Sequence, residues 1–260
     1  MMETNPPSRS ILITGAASGL GLGLATCALA AGHSVILVDR DSDALARASS
    51  TLGAAPERVR TQCVDLANED QIDAAMNDLS DVAIDVLINN AGLQFVSPLE
   101  SFPTERWDVI VDVILRGSFL LSRSVIPGMR QRGYGRIVNI GSIHSEVASP
   151  FKSAYVAAKH GLLGLTKVIA LETADTDITA NTISPAYIYT PLVEKQIAAQ
   201  AEAHKISPEE IIQRIMLAPM PKKAFITIEE VAGAVAFLMS DSARNITGQN
   251  IIIDGGWTAQ

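Results

Sequence analysis

The stretch FKSAYVAAKHG, residues 151–161, sets Lys152, Tyr155 and Lys159 among small, mostly apolar neighbours. Tyr155 and Lys159 are four residues apart, so on a helix they share one face. A free phenol ionises near pH ~10, too high for a base at neutral pH. An ammonium about 5 Å away, at an effective dielectric of about 20, stabilises the phenolate by roughly 3 kcal/mol, or about two pKa units. A phenol tuned in this way can take a proton from an alcohol or return one to a carbonyl. Lys152 has no part in that pairing, and the ordinary partner of a lysine just ahead of a helix is solvent.

Placing such a pair requires a scaffold, and the sequence marks one. SILIT (10–14), SVILVD (34–39), RVRTQCVD (58–65), IDVLINN (84–90), GRIVNIGS (135–142), ITANTIS (178–184) and QNIIID (249–254) read as seven strands. They are apolar on both faces, as buried parallel strands are. Amphipathic runs alternate with them, and Asn68 with Gln71 and Thr227 with Glu230 have the spacing of a capping box. The pattern predicts an α/β fold: a doubly wound, Rossmann-type parallel sheet of seven strands with helices on both faces. At 260 residues and 48% hydrophobic, the chain is read as one domain over 1–260. Residues 186–226 interpose two extra helical runs, with Leu192, Val193, Gln196 and Ile197 on one face and Ile211, Ile212, Ile215 and Met216 on another. A pair of amphipathic helices at the strand ends suits a small lid over a site.

The net charge of −8 argues against a nucleic-acid or anionic-membrane partner. No apolar run approaches the ~18 residues of a membrane span, and MMETNPPSRS lacks the layout of a secretory signal. Cys27 and Cys63 are read as buried, reduced thiols, so the expected location is cytoplasmic. No metal site is expected.

The first strand runs into TGAASGLG, residues 14–21. Gly15, Gly19 and Gly21, with Ser18 and Leu20 between them, let the backbone turn tightly at a helix N-terminus, where a pyrophosphate is favoured. Asp39 ends the second strand; its carboxylate can accept both adenosine ribose hydroxyls and repels a 2′-phosphate, which favours NAD. Arg40 beside it is a cation that a 2′-phosphate would seek, so NADP stays open. Asp65 and Leu66, ending the third strand, would meet the adenine edge. NNAG, with Asn89, Ala91 and Gly92, closes the fourth strand with small residues beside the cofactor.

TGAASGLG, NNAG, Ser142 and Y-x-x-x-K at 155–159, in this order, resemble the short-chain dehydrogenase/reductase family over essentially the whole chain. The resemblance implies an NAD-dependent oxidoreductase with Ser142, Tyr155 and Lys159 as its catalytic set. Ser142 would bond the substrate oxygen, Lys159 would also hold the nicotinamide ribose, and Pro185, Ile188 and Thr190 would meet the carboxamide. From SAYVAAKHG through ITANTISPAYIYTPLVEKQI to DGGWTAQ the chain resembles family members that oxidise a short 3-hydroxy acid. In those members a carboxylate is gripped by residues that fall here on Gln94, His144, Lys152 and Gln196, with Trp257 closing the pocket. Tyr187 stands where they usually have tryptophan, so another small hydroxy acid or secondary alcohol is the alternative substrate. Ile114 stands where the family usually has an asparagine that holds a water linking the catalytic lysine to solvent. That leaves two readings: a working enzyme using the backbone carbonyl at 114, or an NAD-binding protein with impaired turnover. The family also implies a homotetramer.

Overall fold

The computed structural model describes residues 8–190, 193–194, 197–198, 201–202 and 205–259. Its strands are β1 (Ser10–Thr14), β2 (Ser34–Asp39), β3 (Val59–Cys63), β4 (Val86–Asn89), β5 (Gly135–Ile140), β6 (Ile178–Pro185) and β7 (Asn250–Ile253). Each lies on a run marked by the sequence, and every end agrees within two residues. All pair in parallel, in the order β3-β2-β1-β4-β5-β6-β7. The chain reverses direction of travel between β1 and β4, which opens a crevice at the carboxyl ends of those strands.

Helices α1 (Gly19–Ala30), α2 (Ser42–Leu52), α3 (Glu69–Asp78), α4 (Thr104–Val111), α5 (Gly117–Arg132), α6 (Ser153–Glu172) and α7 (Ile228–Met239) surround the sheet. Strand alternation builds two cores. Ile11 and Ile13 pack on one face with Leu24 of α1, Leu45 of α2 and Val231 of α7. Leu12 between them packs on the other, with Ile72 of α3, Leu120 of α5 and Ile169 of α6. Each such side chain contributes roughly 1.5–3 kcal/mol on burial.

The outer strands depart from the expected burial on both faces. In β3, Arg60, Thr61 and Cys63 are exposed because it is an edge strand with a neighbour on one side only. Cys63 is therefore exposed and Cys27 only partly buried, which corrects the reading of two buried thiols.

Thr227 and Glu230 close a reciprocal capping box at α7, with bonds of 3.2 and 2.7 Å. At α3 only half the box forms: Asn68 accepts from the Gln71 amide, while the Gln71 side chain accepts from Asp65 instead. After β6 the chain is pinned by a bridge between Ile188 and Ile226. Between these residues Val193, Ile197, Ile211 and Met216 form a small apolar cluster. Leu192 and Gln196 lie outside the described residues. Ile215 does not share that face; it is exposed. The reason is a π-turn over Ile212–Met216, which brings position i+5 rather than i+4 beneath Ile211.

Candidate active site

A cleft of about 380 Å³ runs along the carboxyl ends of the central strands. At one end β1 gives way to Gly15 and Gly19, both left-handed with φ +62° and +55°, a conformation that costs glycine nothing. Gly21, in the first turn of α1, packs against this turn. A Cβ there would lie 2.7 Å from Asn90 Nδ2 and against the Gly15 carbonyl oxygen, so only glycine lets the helix approach. Asn90 then latches the turn, donating from Nδ2 to the Thr14 carbonyl at 2.8 Å. Thr14 Oγ1 in return accepts the Asn90 and Ala91 amides, each at 3.0 Å.

Gly15, Ser18, Gly19, Leu20, Asp39, Asp65, Leu66, Ala91, Gly92, Pro185, Ile188 and Thr190 all line the cleft, as expected of a dinucleotide site. Asn89 does not. It is buried beneath the cleft, donating to Asn139 at 2.8 Å, and its neighbour Asn90 takes its place at the wall. A strand's side chains alternate, so in a doubled asparagine one must point down and the other up. Asp39 accepts the Ala17 and Asp41 amides at 3.1 and 3.3 Å, which fixes its carboxylate at the cleft edge beside Arg40. The glycine cradle, too tight for any Cβ at Gly21, and this carboxylate fit an adenine dinucleotide.

At the other end the loop after β5 and the start of α6 bring together Ser142, His144, Lys152, Tyr155 and Lys159, with Gln94 and Tyr187 opposite. Ser142 caps the turn after β5, accepting the His144 amide at 3.1 Å. Lys159 is buried and donates to the Ile140 carbonyl at 2.5 Å, its nitrogen 5.7 Å from the Tyr155 ring centroid. Burial lowers the Lys159 ammonium to about 8. The Tyr155 phenol sits above its ordinary value because burial outweighs the hydrogen bond from Ser142. In this geometry the Lys159 ammonium is turned to a backbone carbonyl.

His144 is only 3% exposed, and its Nε2 lies 3.3 Å from Lys152 Nζ. An ammonium can only donate, so Nε2 is the acceptor and the ring is neutral with its proton on Nδ1. Burial and then the Lys152 charge push His144 down to about 4, against an opposing contact with the Val147 backbone. Lys152 is itself lowered by burial. The pair sets one ammonium, oriented by the imidazole, in the corner next to the phenol.

Trp257 is not part of the cleft wall. It stands behind it, stacked on Tyr187 with centroids 6.1 Å apart and edge-on to His144 at 6.3 Å. Ile114 lies in a π-turn between α4 and α5, 1% exposed among Ile110, Ala154 and Ala158. Its carbonyl accepts the Ser118 hydroxyl at 2.7 Å. Sequence reasoning missed Asn90 and Thr14, although the repeated asparagine of NNAG was the available signal.

This crossed-over parallel sheet with a glycine cradle at its switch point defines a Rossmann-type dinucleotide-binding protein. A family model described as Enoyl-(Acyl carrier protein) reductase matches residues 15–258. The chain belongs to the short-chain dehydrogenase/reductase family. It is 44% identical to a D-beta-hydroxybutyrate dehydrogenase of Rhizobium meliloti, covering 97% of this chain and 100% of that one. A protein of the same name from Cupriavidus necator is 42% identical over 97% and 98% of the two chains. Among solved structures, 4-hydroxyisoleucine dehydrogenase complexed with NADH aligns with a TM-score of 0.86 at 31% identity, covering 97% of this chain and 100% of that one. L-sorbose reductase from Gluconobacter frateurii, complexed with NADPH and L-sorbose, aligns at 0.90 with 28% identity over 97% of both chains.

Proposed function

We propose that this oxidoreductase is a single-domain, NAD-dependent enzyme interconverting D-3-hydroxybutyrate and acetoacetate. The observation that carries this reading is the Lys152–His144 pair, 3.3 Å apart and lining the same cleft as Tyr155. Two relatives 44% and 42% identical bear the name of that activity. The bound nicotinamide supplies a hydride acceptor at its ring carbon. Every other task falls to the chain. Lys152, oriented by its bond to His144, holds the substrate carboxylate through its ammonium with the Gln94 amide opposite, which fixes C3 relative to Tyr155. Ser142 donates to the C3 oxygen. Tyr155 takes the hydroxyl proton as the carbonyl forms, and returns it in the reverse direction. Lys159 binds the ribose and, once its ammonium faces the phenol, favours the phenolate. Gly15, Ser18, Gly19, Leu20, Asp65, Leu66, Ala91 and Gly92 cradle the adenosine and pyrophosphate, and Pro185, Ile188 and Thr190 the carboxamide. Asp39 selects NAD by accepting ribose hydroxyls and repelling a 2′-phosphate.

Exposed Phe119 of α5 and Val168 and Leu171 of α6, with Phe237 of α7 and Ile252 of β7, support a homotetramer buried through those faces. The cytoplasm is the matching location. A second reading, an NAD-binding protein with impaired turnover, is favoured by one feature: Ile114 places methyl groups where a water-holding amide would stand, and Ser118 engages its carbonyl. NADH formation at alkaline pH, with each 3-hydroxybutyrate enantiomer and with NAD or NADP, decides between them. The first reading expects turnover of the D enantiomer with NAD. Activity confined to unrelated alcohols would remove the substrate assignment, and cofactor binding without any turnover would establish the second reading.

A further inference from the structure

Trp257 has no place in the cleft wall, yet its indole packs against two of the rings that do, Tyr187 and His144. It stacks on Tyr187 at an interplanar angle of 30° and meets His144 edge-on at 79°. His144 in turn accepts from Lys152. The indole is therefore a wedge behind the corner proposed to hold the substrate carboxylate.

What fixes that wedge is one carboxylate in the turn that follows β7. Asp254 is 8% exposed and accepts three bonds at once. The Gly256 amide donates to Oδ1 at 2.8 Å, and the Thr258 amide and hydroxyl donate to Oδ2 at 2.7 Å each. Both residues flanking Trp257 are thus tied to one side chain. Gly255 and Gly256 are left-handed, with φ +61° and +91°, so the chain can wrap around that carboxylate. The Gly255 carbonyl accepts the Lys222 amide at 3.1 Å, which fastens the turn to the loop below the lid. Ala186 donates to the Ile253 carbonyl at 2.9 Å, so the same strand end also holds the segment carrying Tyr187.

We infer that Asp254 is a positioning residue for substrate recognition: by closing the turn around Trp257 it sets the indole against Tyr187 and His144 and so fixes the carboxylate-binding corner. This rests on the reading of that corner as the substrate site. Carboxylates with every oxygen engaged by donors are well placed for such work, because charge-assisted bonds are short and directional. Loosening a supporting contact degrades a site without removing any group that touches the ligand.

The chain has two tryptophans, Trp107 and Trp257, so a Trp107→Phe background leaves Trp257 as the sole indole. In that background Asp254→Asn forces an amide N–H toward one of the three donors, and Thr258→Val removes only the hydroxyl. Acrylamide quenching of Trp257 should rise about threefold in Asp254→Asn, with a smaller rise in Thr258→Val. KM for D-3-hydroxybutyrate should rise about tenfold in Asp254→Asn with kcat within about twofold. The Kd for NADH should not change. Unchanged quenching, or increased quenching with an unchanged KM, overturns the inference. So does a parallel loss of kcat and NADH affinity, which would mark a general structural role. Should the parent protein turn over no hydroxy acid, the proposed function falls by itself. Acetoacetate binding read from the same indole signal then decides the role of Asp254, weakened binding in the variants supporting it and equal binding refuting it.

Discussion

Replacing Lys152 by methionine removes the one ammonium at the carboxylate corner while keeping most of the side chain's volume. In the structure Lys152 Nζ donates to His144 Nε2 at 3.3 Å, which holds the ammonium at the cleft wall, and a carboxylate oxygen paired with that ammonium sits within about 4 Å of the charge. At an effective dielectric near 20 that attraction is about 4 kcal/mol. Lys152 is only partly buried, and its own desolvation offsets part of the gain, so a net of about 2 kcal/mol is the working figure. That predicts a fall of roughly 30-fold in kcat/KM for acetoacetate reduction. The methyl ester of acetoacetate carries no charge, and its kcat/KM should change by less than about threefold. A second signature accompanies the first: without the neighbouring cation His144 should titrate above its present value of about 4, still below an ordinary imidazole because burial remains. The assay is NADH consumption with both substrates, alongside an NMR titration of the His144 ring. Equal losses for acid and ester would refute the electrostatic reasoning, since a mere packing defect cannot distinguish a charge from an ester.

His144 carries a stability consequence as well. Its folded pKa of about 4 lies below the unfolded value of 6.5, so the unfolded chain takes up the proton first as pH falls. Stability is therefore lost between pH 6.5 and 4, by about 2 kcal/mol after allowance for screening, and His144→Gln should flatten that part of a Tm-against-pH curve. Gly21→Ala drives a methyl group to 2.7 Å from Asn90 Nδ2 and against the Gly15 carbonyl. Denaturant unfolding should show a loss of about 2 kcal/mol, and calorimetry a weakened NAD affinity, because relief of that clash opens the cradle.

The strands were legible because a parallel strand covered on both faces must be apolar at nearly every position, and that pattern is local. Edge position is not local. Nothing within VRTQC announces that β3 has one neighbour, although its arginine and threonine agree with an edge once the order is known. Ile215 was misplaced because 3.6-residue periodicity assumes an unbroken helix, and the π-turn at Ile212–Met216 shifts the phase by one residue. The cleft was legible wherever a residue type has few uses: the glycines, Asp39, and the tyrosine and lysine one turn apart. It was not legible where packing decides. Which of Asn89 and Asn90 faces the cleft depends on the register of β4, and whether Trp257 lines or backs the pocket depends on a turn held by Asp254. Spacing likewise gives the distance from Tyr155 to Lys159 but not the Ile140 carbonyl that engages the ammonium.

The account's central claim is that the Tyr155 hydroxyl transfers the proton that accompanies hydride transfer in this cleft. Single-turnover reduction of acetoacetate by the Tyr155→Phe variant tests it most directly, with NADH binding measured on the same sample. Loss of the hydroxyl should slow the step by about 100-fold or more while leaving the NADH Kd unchanged. A variant that reduces acetoacetate as fast as the parent would contradict the claim.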